Sequence, residues 1–146
     1  MEKWLPAMAT VAAGGLVAMQ APINSTLGRS VGTFAAASLS FAIGLAVLVS
    51  ITVVAGGFGD IGEAADLRWY YLTGGLLGAA YVTTVLVAVR TLGAGGVTAA
   101  TIAGQLGASV AIDRAGILGL PEKGLTPGRV VGIAFLAVGV FLIVRD

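Results

Sequence analysis

Charged residues are absent from long stretches of this chain and gathered between them. Trp4 to Gly28, Ser30 to Gly59, Trp69 to Val89, Thr91 to Ile112 and Val130 to Val144 contain no Asp, Glu, Lys or Arg. A helix of about 20 apolar residues crosses a hydrocarbon layer roughly 30 Å thick, and the first four stretches reach that length. The fifth reaches it when extended back through Gly128 and Arg129, because an arginine at a helix end lifts its guanidinium to the headgroups while its stem stays in apolar surroundings. Pro127 and Gly128 suit the start of that last helix. The pattern predicts an all-α polytopic membrane protein with five transmembrane helices in one domain, residues 1–146. The first stretch follows Glu2 and Lys3 but is longer than the apolar region of a signal peptide, about 7 to 15 residues, so it is read as a retained helix.

Polar positions inside the stretches sharpen the reading, because each needs a hydrogen-bond partner or a wet cavity. In the fourth stretch Thr98, Thr101, Gln105, Ser109 and Asp113 recur every three or four residues and so share one helix face. Beside them runs a row of small residues, Gly96, Ala100, Gly104 and Ala108. In the third, Tyr70, Thr73, Tyr81 and Thr84 share a face, and in the first Thr10, Gln20 and Asn24 do. Pro22 lies within Gln20-Ala-Pro-Ile-Asn24, lacks an N–H and crowds the carbonyl of Ala18, so the first helix is expected to kink or open there. Carbonyls freed beside two amides would offer donors and acceptors to a solute. The candidate substrate-binding residues are therefore Gln20, Asn24, Gln105, Tyr81, Thr101 and Tyr70. The alternative for the amides is interhelical hydrogen bonding that holds the bundle together.

Asp113 is the acidic group at the end of a span, beside Arg114 and across a loop from Arg129. An interfacial ion pair is its first reading, and proton coupling its functional alternative. Trp4, Trp69, Tyr70 and Tyr71 fit the aromatic belt at a membrane interface. The connection from Gly56 to Arg68, with Asp60, Glu63 and Asp66, reads as a solvated loop.

Composition narrows the chemistry. Hydrophobic residues make up 58% of the chain, charged residues 10%, and mean hydropathy is +1.01, values foreign to a water-facing surface. With no cysteine and no histidine, disulfides, thiolate metal sites and the usual nucleophiles are absent, and no cofactor or metal is expected. The net charge of +1 comes with no basic cluster, so nucleic acid is not an expected partner; membrane lipid is. The 23 glycines include two pairs spaced four apart, Gly74 with Gly78 and Gly128 with Gly132, which permit close helix packing in lipid.

Loop charges set orientation only weakly. With the N-terminus inside, that side holds Lys3, Arg68, Arg114, Lys123 and Arg129, and the other holds Arg29, Arg90 and Arg145. An odd number of spans places the two chain ends on opposite faces, so two copies inserted oppositely would form the inverted repeat on which many transporters are built.

Several of these segments also carry a resemblance. Gln20-Ala-Pro-Ile-Asn24 with Leu27-Gly28, Gly74-Gly-Leu-Leu-Gly78-Ala-Ala-Tyr81, Ala103-Gly-Gln105 through Asp113, and the glycine-spaced last span together resemble the YdcZ-like family of short bacterial inner-membrane proteins in the drug/metabolite transporter superfamily. The resemblance implies a half-size unit similar to one repeat of the larger ten-helix transporters. Among relatives it implies dual-topology homodimers, paired heterodimers and fused forms. Small multidrug exporters carry a glutamate within the first helix, and this chain has neutral Gln20 and Asn24 there. A neutral or zwitterionic solute fits those amides better than a cation, which needs an opposing charge in a low-dielectric cavity.

The leading expectation is a transporter in the bacterial inner membrane, acting as an antiparallel homodimer that moves a small polar solute by alternating access. A dual-topology channel and an accessory or scaffolding subunit are the other two classes. An enzyme is not expected, since the chain has no histidine, no cysteine and no acidic pair within its spans.

Overall fold

The computed structural model describes residues 4–145 and comprises two compact units, Met1–Val87 and Ala88–Asp146. Lys3, which entered the charge balance, and its neighbour Glu2 lie outside the described residues. Among the described residues there are helices and turns and no strands. Among the described residues, four helical segments are long and apolar enough to cross a membrane.

The first unit begins with a helical hairpin. Helix α1 (Trp4–Val31) and helix α2 (Thr33–Ala55) are joined by Gly32 alone, at φ 91° and ψ 152°. That conformation is open to glycine and strained for other residues, so the chain turns here and not at Arg29, where the charge pattern put the boundary. Arg29 instead ends the last turn of α1, where a cation complements the carbonyl end of the helix. Pro22 does not open α1: the helix continues through it. Membrane helices tolerate the lost Ala18 hydrogen bond because neighbouring groups re-satisfy the carbonyl. Gly56, at φ 68°, stops α2 earlier than the apolar stretch suggested, and the N–H groups of Gly56 and Gly57 close back on the Val53 and Thr52 carbonyls. Two short 3-10 segments follow, Ile61–Asp66 and Trp69–Thr73, so the third stretch starts as a tight turn rather than an α-helix.

Helix α3 (Gly74–Ala115) carries the third and fourth stretches together. The 47 residues of Trp69–Ala115 would measure roughly 70 Å if straight, about twice the hydrocarbon thickness. Gly93 interrupts the helix at φ 67° and ψ 173°, leaving two arms, 74–92 and 94–115. The charge pattern put this break at Arg90. Arg90 is instead helical, because an arginine cannot adopt the backbone that Gly93 supplies.

In the second unit the second arm of α3 leads through a loop to helix α4 (Pro127–Arg145). Thr126 caps α4: its carbonyl accepts from Val130 N–H at 3.1 Å and its hydroxyl from Arg129 N–H at 3.3 Å, with Pro127 in the first helical position as anticipated.

Side-chain exposure is inverted relative to a water-soluble protein. Trp4, Phe34, Val54 and Phe135 are each at least 74% exposed, no α4 residue is buried, and Leu86 is the largest fully buried side chain. Helices apolar on every face need an apolar solvent, so lipid or a partner subunit must cover these surfaces.

Candidate functional site

The hairpin packs through small residues. Ala21, Asn24, Ser25 and Gly28 are buried on one face of α1, and Ala36 and Ala37 are buried on α2. With little side chain between them, the two backbones approach closely and Asn24 is sealed to 5% exposure. Its amide nitrogen, Nδ2, is the one buried side-chain nitrogen or oxygen without a hydrogen-bond partner among the described residues. An unsatisfied buried donor costs roughly 1–3 kcal/mol. Gln20 lies one turn away on α1, exposed, and lines a cleft of about 300 Å³ with Ser40, Phe41, Gly44, Leu45 and Leu48 of α2. The rim of this cleft is neutral and hydrogen-bonding, and its walls are apolar.

Ser40 and Phe41 escaped the sequence reading. Ala36, Ser40 and Gly44 recur every four residues, the small-residue row that marks a packing face, and that signal could have found Ser40. Phe41 also explains Gly78: a Cβ there would sit 3.4 Å from Phe41 Cζ, so the glycine makes room for the ring.

The hydroxyl members of the polar faces behave differently from the amides. Thr10 donates to the Pro6 carbonyl and Thr84 to the Ala80 carbonyl, each at 2.8 Å, and Ser50 and Thr52 do the same on α2. Thr73 donates to the Tyr70 carbonyl at 2.7 Å. A hydroxyl satisfied by its own helix needs neither cavity nor partner.

The remaining candidates are distributed along the chain. Tyr81 is half-buried in the first arm of α3. Tyr70 is half-buried at the start of that segment; its ring meets Trp69 edge-on at 6.3 Å and Tyr71 at 4.6 Å, and its hydroxyl accepts from Arg68 Nη1 at 3.3 Å. This is the arrangement of an interfacial aromatic anchor. Gln105 is exposed and Thr101 half-buried on the second arm of α3, in the second unit, whereas Gln20 and Asn24 share α1 in the first.

Asp113 closes the corner between α3 and α4. Its Oδ2 lies 3.2 Å from Arg129 Nη2, the pairing anticipated from the loop, with side chains 22% and 40% exposed. Arg114 pairs separately with Glu122, and Lys123 N–H donates to the Asp113 carbonyl at 2.8 Å. Half-exposed pairs of this kind contribute about 0–1 kcal/mol after screening. The Asp113–Arg129 pair borders a cleft of about 230 Å³, lined also by Leu106, Ser109, Val110, Gly132 and Ile133. Asp60, Glu63 and Asp66 border an open hollow in the first loop, and no group suited to a metal ion occurs among the described residues.

Comparison with known families adds the biological frame. Residues 5–142 match the family described as "Putative inner membrane exporter, YdcZ". The chain belongs to the YdcZ family. It is 31% identical to the inner membrane protein YdcZ of Escherichia coli (strain K12) over 108 residues, which cover 73% of this chain and 72% of that protein. No solved structure matches. As a member of the YdcZ family, the chain is a multi-pass inner-membrane protein of transporter type.

Proposed function

We propose that this YdcZ-family chain is one half of a secondary transporter, crossing the membrane five times and pairing with an oppositely inserted copy. It moves a small neutral or zwitterionic solute by alternating access. The single observation that carries this reading is the spare donor of Asn24, buried in the α1–α2 seam one turn from the Gln20 cleft. An amide kept only as structural glue would use its donor; this one is left for an acceptor that a solute or a partner subunit brings. Five crossings follow from counting the two arms of α3 separately, which Gly93 supports. The sparse loop charges support dual insertion, and an inverted pair would supply two amide clefts related by a two-fold axis. Gln105, Thr101 and Tyr81 remain candidate solute-binding residues in this reading.

Counterflow into liposomes, screened with labelled neutral and zwitterionic solutes, tests it. Saturable exchange is expected, reduced at least tenfold by Gln20→Ala or Asn24→Ala. Flux indifferent to both substitutions would remove the amide cleft from the mechanism. Single cysteines added at each terminus should be labelled from both sides of whole cells, and labelling of each from one side only would refute dual insertion.

A further inference from the structure

The cleft at the α3–α4 corner is lined by one anion, one cation and apolar walls, and nothing in the family description assigns it a role. We propose that this cleft is a binding site for zwitterions bearing a short aliphatic chain, the class of a free aliphatic amino acid. The inference rests on the reading of the chain as a carrier of small polar solutes and narrows the charge type of that solute.

Arg129 meets Asp113 through one contact, Nη2 to Oδ2, and no other side-chain hydrogen bond of its guanidinium is present among the described residues. A guanidinium carries five N–H donors in a planar fork, so most of its capacity is open to a carboxylate, which it can bind through two parallel hydrogen bonds. Asp113 stays available for an ammonium. Its neighbour Arg114 is taken by Glu122, and its main-chain carbonyl is pinned by Lys123 N–H, so the carboxylate is held in place without a second cation on it. The internal pair is weak and half-exposed, and a solute that replaces both halves at once repays its opening.

Selectivity follows from charge balance. A carboxylate alone would take Arg129 and strand Asp113 beside it, and an amine alone would strand Arg129, so each single-charge ligand leaves an unpaired charge against apolar walls. A zwitterion strands neither. Leu106, Val110 and Ile133 offer those walls, Ser109 adds a hydroxyl, and the volume of about 230 Å³ lies below the roughly 300–1,000 Å³ of sites for larger ligands.

The test is thermal unfolding and calorimetric titration of the purified full-length protein with leucine, isocaproate and isoamylamine, which share a carbon skeleton and differ in charge. Leucine should give a saturable rise in Tm and bind at least tenfold tighter than either analogue. Arg129→Gln and Asp113→Asn should each weaken leucine about tenfold. Arg129→Lys keeps the charge and the pair but loses the fork, and should fold normally while binding leucine several-fold more weakly. No leucine binding, equal binding of the three compounds, or affinity unchanged in Arg129→Gln and Asp113→Asn would overturn the proposal. Loss of leucine binding alongside Asn24-dependent counterflow of another solute would sink this site and spare the transporter reading; the reverse pattern would do the opposite.

Discussion

In the buried seam and cleft of the α1–α2 hairpin the polar groups are neutral and one donor is left over, whereas at the α3–α4 cleft Asp113 and Arg129 are charged and already joined to each other. Both clefts have apolar walls, yet they solve burial differently. An amide can be sealed at 5% exposure between alanines and a glycine, because its cost without a partner is modest. A carboxylate cannot, and Asp113 stays at a helix end, part-exposed and matched by Arg129. In this chain, then, the buried donor without a partner belongs to a neutral amide inside the hairpin, and the paired charges of the corner lie at helix ends.

The comparison breaks most readily at the glycines that shape each region. Gly32→Ala and Gly93→Ala force a Cβ onto positive-φ backbone and should each cost about 1–3 kcal/mol. Unfolding in mixed micelles would measure this, and unchanged stability in either variant would show that the turn adapts. A smaller effect is expected inside the amide cleft. Ser40→Ala should leave folding intact and weaken solute affinity in counterflow by roughly 3- to 10-fold, the loss of one neutral hydrogen bond; unaltered affinity would take Ser40 off the solute's path. Asp113→Asn should lower stability by about 1 kcal/mol or less, and less still at high salt, read from the same unfolding curves. A larger loss would make the corner a structural clamp. Least of all should change in Thr84→Val, whose hydroxyl serves only the Ala80 carbonyl: within about 0.5 kcal/mol and with flux unchanged.

Much of this architecture was legible from the uncharged stretches, and the discrepancies cluster where glycine geometry outranks charge. Arg29 and Arg90 looked like boundaries because charge interrupts hydropathy, but a helix ends where its backbone changes conformation, at Gly32 and Gly93. Pro22 looked like an opening because it lacks an N–H and crowds the Ala18 carbonyl, and α1 nevertheless runs through it. The Asp113–Arg129 pair and the start of α4 at Pro127 were readable, since both follow from local chemistry at a loop. The polar faces were over-inclusive. Periodicity finds hydroxyls and amides alike, but only the three-dimensional hydrogen bonds separate Thr10 and Thr84, satisfied by their own helices, from Asn24, which is not. Ser40 and Phe41 went unseen because α2 is apolar on every side and shows no polar stripe to follow.

Asn24→Leu separates the two uses of a buried amide, which predict opposite signs. Stability in mixed micelles and counterflow in liposomes would be measured on the same preparation. If the Asn24 donor is held for a solute, the leucine variant should be as stable as the parent or more stable by up to about 1 kcal/mol, while flux falls at least tenfold. A variant that unfolds more easily yet transports at the parental rate would show that Asn24 binds helix to helix.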